Sequence, residues 1–420
     1  MYKLTFTLKQ HTPLIHFQHD QDGATLRATE VKPKLDKFIM EKLLKGEGKS
    51  PGKGYDEYRI VNDKEEYFDV GKSFLEYAKH HKIEWKEWLI GKGEHPALDY
   101  KILILSKDKH PDKIYDIKLI TEADKVAITS KSILFSLRSF QENIVKLINE
   151  NIDEFFVISC FGNRQNKGWG DFLPESLNSL DKFEDVLIKS GKAIFKSNRT
   201  FNTFNDETYS QLMRNWRILK SGNNNPYKKS LLFQYMCFEK KARWEKRKIK
   251  KAINEDDINF PEGLLNTNGF YPIDCVEYPN DSDYFDWNDN PDVNYPYRFI
   301  RILLGLPEHF EFRTNVDSIV YQVIMESNND IERFKAPITF KWFNNHIYAI
   351  VEEIPDYIFS KNFSFKVHKK ERRGNKWIAL NAPIPIIPNG LNTPKSFNMI
   401  RFLNLYISQI GFSKLNYVKS

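Results

Sequence analysis

Near the middle of the chain, Gly162-x-Arg164-x-x-Lys167-Gly168-x-Gly170 sets three glycines and two cations within nine residues. Glycine tolerates positive φ and lets another backbone come close, and arginine and lysine supply charge at the same place. The chemistry this pattern suits is recognition of a phosphate backbone, so a nucleic acid is the expected partner. The loop is not a familiar nucleotide cradle. Lys167 is followed by Gly168 and Trp169 rather than by Ser or Thr, and the glycine order is the reverse of a dinucleotide fingerprint. The plainer alternative is a glycine-rich turn with surface charge.

A second group of cations surrounds a helix start. Thr29 reads as an N-cap, Pro33 sits in the first turn, and Val31, Leu35, Phe38 and Ile39 form an apolar stripe. Arg27, Lys32 and Lys34 crowd that end, where the helix dipole already favours anions. The most basic stretch, Lys240 to Lys251, is either a solvated helix face or a phosphate contact, the latter favoured by the interleaved Trp244 and the basic balance of the chain.

Catalytic and metal chemistry find less support. His16 and His19 are candidate general bases, without a visible partner. Asp281, Asp283 and Asp286 suggest a calcium loop, but no turn glycine and no closing Glu follow. Cys160, Cys237 and Cys275 lack zinc or disulfide spacing and point to a reducing cytoplasm. No metal and no cofactor are expected.

The elements that must position these residues follow from periodicity. Tyr2 to Lys9 alternates as a strand. Strands are expected at Pro13–Phe17, Tyr100–Leu105 and Val126–Leu137, a helix over Ser139–Asn151, and a buried strand over Phe155–Phe161 feeding the glycine loop. This succession fits a ferredoxin-like split βαβ unit with insertions. Residues 205–252 read as helical with a break at 221–226. Strands follow at Asp317–Met325, a hairpin turns at Asn344-Asn345, a strand covers Phe363–Val367, and a helix closes the chain at Pro394–Gln409. The fold class is therefore α+β. It comprises an N-terminal domain over 1–200, a basic helical insert over 201–259 and a second α+β domain over 260–420.

With 420 residues, 41% of them hydrophobic, the chain has ample material for a packed core, and its net charge of +7 is compatible with a polyanionic partner. No stretch approaches the ~18 consecutive apolar residues of a membrane span.

Three segments together resemble the RAMP superfamily of CRISPR effector proteins, whose modules are ferredoxin-like and bind RNA. One is the loop Gly162 to Gly170. Another is Thr12-Pro13-Leu14-Ile15, followed by Leu26 to Leu35. The last is Leu304-Gly305-Leu306-Pro307, followed by Glu332-Arg333-Phe334-Lys335-Ala336-Pro337. Within the superfamily the chain is most similar to the two-RAMP-domain subunit of type III-B (Cmr) effector complexes. Two departures stand out: Lys32-Pro33-Lys34 occupies a place where many members have Lys-Gly, and Ala336 replaces a commoner Ser. The resemblance implies a non-catalytic subunit that binds crRNA or target RNA alongside other RAMP subunits in the cytoplasm. The RNA-contacting residues it implies are Arg27, Thr29, Lys32, Lys34, Gly162, Arg164, Lys167, Gly168, Gly170, Arg333 and Lys335. A metal-independent endoribonuclease using His16 or His19 is the alternative, and a protein scaffold without RNA is a third class.

Overall fold

The computed structural model of the protein describes residues 1–15, 25–45, 88–90, 97–106, 112–114, 126–201, 204–224, 227–240, 242–255, 296–306, 309–313, 319–327, 331, 334–374, 376–380 and 382–415. The architecture is α+β, with antiparallel sheets and helices in two compact units. One comprises 1–212, 338–353 and 407–420, and the other comprises 213–337 and 354–406.

The first unit contains two four-stranded antiparallel sheets. In the first sheet β1 (Tyr2–Gln10) is central, followed in the chain by the short β2 (Leu14–Ile15), α1 (Ala28–Lys45), β3 (Lys101–Ser106), β4 (Ile133–Ser139), α2 (Glu142–Ile158) and β5 (Phe172–Pro174). The strand order is β3-β4-β1-β5, with Phe6 opposite Phe135 and Leu8 opposite both Ile133 and Pro174. Two strands and a helix on each side of the β3–β4 connection make this the expected split βαβ arrangement.

After α3 (Leu180–Lys189), the second sheet is built from β6 (Ala193–Ser197), β7 (Ile338–Phe343), β8 (His346–Val351) and β9 (Phe412–Lys414), in the order β7-β8-β6-β9. Again the first strand in sequence lies between the third and the fourth. The chain between β6 and β7 carries helices Asp206–Lys220, Leu231–Lys240 and Glu245–Glu255, and helix Met399–Tyr406 precedes β9. The second sheet therefore begins at Ala193, before the helical segment, and ends at Lys414. Its strands come from segments over 140 residues apart, a long-range pairing that no shift of composition along the chain marks.

Two local expectations are corrected. Residues 155–158 continue α2 instead of forming a strand. Ile144, Val145, Ile148, Ile152, Phe155 and Phe156 are all buried along α2, at helical spacing. The chain leaves the helix at Ser159, which is extended, so a short apolar run was the end of a helical stripe. Likewise α1 starts at Ala28, and the Arg27 carbonyl accepts from the amides of Glu30 and Val31. Thr29 is therefore an exposed first-turn residue, not the cap, because the helix begins one residue earlier.

The core of the first sheet is aromatic. Phe6 stacks on Phe135 with centroids 4.7 Å apart, and Phe156 meets Phe135 edge-on at 5.8 Å. Fully burying each such ring contributes on the order of 2–3 kcal/mol.

The second unit has its own sheet. Strand Ile319–Ser327 pairs with His309–Arg313 on one side and Asn362–Arg373 on the other, and the latter also pairs Lys376–Ala379 and Ile384–Asn392. Its helix Glu245–Glu255 is anchored by Glu245, fully buried, which accepts from the Ile300 amide at 2.9 Å and pairs with Arg301 at 3.2 Å. The Trp244 indole donates to the same carboxylate at 2.7 Å and its ring stacks on Phe233. Trp244, read from the sequence as favouring phosphate contact by the basic run, is only 6% exposed and serves this core. The strand expected at 363–367 is longer, reaching Arg373. Cys160 and Cys237 are buried and not in disulfides, and their thiols donate to the Phe340 and Ala242 carbonyls. The acidic loop with Asp281, Asp283 and Asp286, and also Cys275, lie outside the described residues.

Candidate nucleic-acid interface

The helix start and the glycine loop, about 130 residues apart in sequence, meet in the first unit. Lys34 donates to the Cys160 carbonyl at 2.9 Å and to Gln165 Oε1 at 2.6 Å. Glu30, one turn before Lys34, accepts from the Gly162 amide. Lys32 turns elsewhere: its ammonium reaches Asp36 Oδ2 at 3.0 Å and the Leu98 carbonyl at 2.8 Å, and lies 3.9 Å from the centre of the Tyr100 ring. Both lysines therefore spend donors on holding the protein together. The (i, i+4) spacing of Glu30 with Lys34 and of Lys32 with Asp36 marks the local ion pairs in the sequence, but not the long-range contacts.

The glycines admit the protein's own chain. An added Cβ at Gly170 would stand 1.9 Å from the Phe161 carbonyl oxygen, and one at Gly162 would stand 2.8 Å from that of Ile15. The backbone fills this space with hydrogen bonds from Gly170 to Pro13, Asn163 to Ile15 and Phe161 to Gly170. Gly168 has φ +85° and faces Phe340 at ordinary van der Waals distance. The loop is thus clamped to β2 on one side and to β7 on the other, where the Phe340 amide donates to the Asn166 carbonyl at 3.1 Å.

On this clamped loop Arg164 has φ 57°, a left-handed conformation uncommon for a residue with a Cβ. Burial, and then the neighbouring Arg164 charge, push the Lys167 ammonium below the ordinary lysine range. Among the described residues no carboxylate pairs with Lys167. Two like charges are held close, one of them partly desolvated, by a rigid loop.

Beneath the loop lies an ion pair that the sequence did not reveal. Lys341 and Asp171 are both fully buried and paired. Lys341 also donates to the carbonyls of Phe156 at 2.7 Å and Ser159 at 2.8 Å, capping the end of α2. Asp171 accepts from the Trp342 amide at 3.2 Å, and its own amide donates to Thr12 Oγ1 at 2.9 Å. Beside it, burial holds the His11 imidazole below its ordinary value, with Asp171 opposing. A lysine inside an apolar strand (Ile338–Phe343) with no acid nearby in sequence was the only available hint.

Other expected residues fall elsewhere. Arg27 is half-buried just ahead of α1. In the second unit Lys335 is exposed between buried Phe334 and Ala336. There Gly305 packs on Ala336, where an added Cβ would meet the Ala336 backbone at 3.0 Å, and the Leu306 amide donates to the Phe334 carbonyl. Gly305 and Leu306 thus pack with Phe334 and Ala336 as one element. Arg333, His16 and His19 lie outside the described residues. Among the described residues no group of three or more His, Cys, Asp and Glu side chains is placed to hold a metal. Nor, among them, is any helix long and apolar enough to cross a membrane.

A sheet of split βαβ order repeated in one chain, with a glycine-rich basic loop before the last strand of the first, defines a RAMP-superfamily protein. Residues 1–223 match the Cmr1 N-terminal domain and residues 227–416 match the Cmr1 C-terminal domain. The chain belongs to the Cmr1 family, a subunit family of the type III-B Cmr complex of CRISPR systems. Among solved structures it is similar to Cmr1 from Pyrococcus furiosus in its apo form. That match has 11% identity over 99% of this chain and 98% of the other, with a TM-score of 0.39. No curated protein sequence matches the chain.

Proposed function

We propose that this subunit is a non-catalytic RNA-binding component of the effector, contacting crRNA or target RNA through Arg164 and Lys167. The carrying observation is the pair of cations fixed on a clamped loop, with Lys167 unmatched by any carboxylate among the described residues. A phosphate supplies the missing countercharge and opposes the burial and the Arg164 charge that disfavour the Lys167 ammonium. The α1 start supports the reading by bracing the loop: Lys34 and Glu30 hold it, and contacts to RNA fall to the loop cations. The partners on this reading are RNA and other RAMP subunits in the cytoplasm, with no cofactor.

The test is filter binding of single-stranded RNA across a salt series with the Arg164→Ala/Lys167→Ala variant. Each lost phosphate contact lowers the slope of log affinity against log salt by roughly 0.7. A wild-type slope with a normal melting curve removes the loop from the interface. Guide-precursor cleavage that depends on His16 or His19 replaces the non-catalytic reading with an endoribonuclease.

A further inference from the structure

A half-open cavity of about 810 Å³ opens in the first unit between the end of β1, the segment after β5 and the β7–β8 turn. Its volume falls within the range of small-molecule sites, ~300–1,000 Å³. Its walls combine two kinds of group. Phe204, half-buried, provides aromatic surface, backed by Trp342, which is 6% exposed and meets it edge to face with centroids 5.6 Å apart. Asn178, Asn344 and Asn345 provide exposed amides, and none of these three side chains hydrogen-bonds to another described residue. Lys9 and Glu175 put one charge of each sign on the lining, so the cavity selects neither anions nor cations.

The cavity is joined to the loop by backbone. Pro13, part of the lining, accepts from the Gly170 amide, and Phe340, bridged to Lys167, lies two residues before Trp342 on β7. Two residues of strand span roughly 7 Å. On the other side Tyr209, whose hydroxyl feels the Arg164 charge, packs on Phe204 with centroids 5.9 Å apart.

We infer that this cavity receives a single unpaired nucleobase of the RNA strand whose phosphates lie on Arg164 and Lys167. Unstacked bases are recognised by aromatic faces together with hydrogen-bonding groups that read their edges. The Phe204 ring and the unengaged amides are those two elements, and Glu175 adds an acceptor for an exocyclic amine. His11, also in the lining, is shifted toward its neutral form by burial, a form with one donor and one acceptor. This rests on the RNA-binding reading for the strand's path, but the pocket is testable without phosphate.

The experiment uses the full chain and uncharged ribonucleosides (adenosine, cytidine and uridine) observed by saturation-transfer NMR. Asn178→Trp fills the cavity from an exposed position. Asn344→Gly/Asn345→Gly removes two amides yet keeps the turn, since both residues have positive φ, 45° and 66°, which glycine adopts freely. The expected result is nucleoside binding by the wild type, lost in Asn178→Trp and weakened ~5-fold or more in the double glycine variant, the scale of one or two hydrogen bonds. Arg164→Ala/Lys167→Ala retains nucleoside binding. Absence of binding by every nucleoside at millimolar concentration, or equal binding by Asn178→Trp, overturns the pocket. Oligoribonucleotide affinity read in the same samples separates the two ideas. RNA bound through the loop with an empty pocket leaves the subunit reading standing and sinks this one. Nucleoside binding without any RNA affinity does the reverse.

Discussion

The two sheets of the first unit share a strand order and differ in almost everything else. In the first sheet, β3 alternates between exposed and half-buried positions and leaves Leu103 and Leu105 each 48% exposed. In the second, every residue of β7 and all but the first of β8 are buried. The connections differ in the opposite sense. Before its last strand the first sheet has the nine-residue loop from Gly162 to Gly170, whereas the second has only Gly411 between a 3₁₀ turn and β9. Between its two middle strands the second sheet has the tight Asn344-Asn345 turn, and the first has a connection of 26 residues, 107–132. One sheet is enclosed scaffold, and the other bears the loop. Duplication of a topology therefore does not duplicate a site; the site depends on which loop the scaffold holds in place.

The contrast can be tested first at the ion pair that joins the sheets. Lys341 belongs to the second sheet, and Asp171 immediately precedes the last strand of the first. Lys341→Ala leaves a buried carboxylate and two helix-end carbonyls without their donor, and the expected loss is about 3–5 kcal/mol in urea unfolding. The half-buried pair Lys196–Glu184, within the first unit but partly solvated, sets the scale: Lys196→Ala costs about 1 kcal/mol or less. Equal losses at the two lysines would show that the buried pair does not lock the sheets together.

Next come the equivalent glycines. Gly170→Ala combines a left-handed φ of +67° with a clash against the Phe161 carbonyl, whereas Gly411 has φ +80° and nothing within 4 Å of an added Cβ. The left-handed penalty alone is about 1–2 kcal/mol. Thermal unfolding should place Gly411→Ala at that cost and Gly170→Ala well beyond it. If the two melt alike, the clamped loop is more pliant than its contacts indicate.

The smallest effect concerns protons. Burial lowers the His11 pKa in the folded protein below the ordinary 6.5, with the Asp171 charge opposing. The unfolded chain then binds more protons than the folded one just below pH 6.5, so stability falls as pH falls through that region. The His346 imidazole on β8 is lowered as well, first by burial and then by Lys196, so both sheets share the trend. His11→Asn should flatten part of the stability profile between pH 5 and 7, and an unchanged profile would assign that trend to other groups.

What the sequence by itself determined was local. Alternation marked β1, and two adjacent asparagines marked the β7–β8 turn, because strand pleat and positive-φ turns are written in neighbouring residues. Three glycines and two cations marked the loop for the same reason. The end of α2 was misread because a few consecutive apolar residues fit either period, and only the packing of Phe155 and Phe156 into the core selects the helix. The tertiary structure alone decided the rest. It paired β6 with strands from the far end of the chain, buried Lys341 against Asp171, and turned Lys32 and Lys34 inward as braces. It also filled the space beside Gly162 and Gly170 with the protein's own backbone. Apart from the Phe161 carbonyl beside Gly170, these depend on contacts across more than 60 residues, and such contacts are set by burial and hydrogen-bond satisfaction in three dimensions, which residue spacing does not encode.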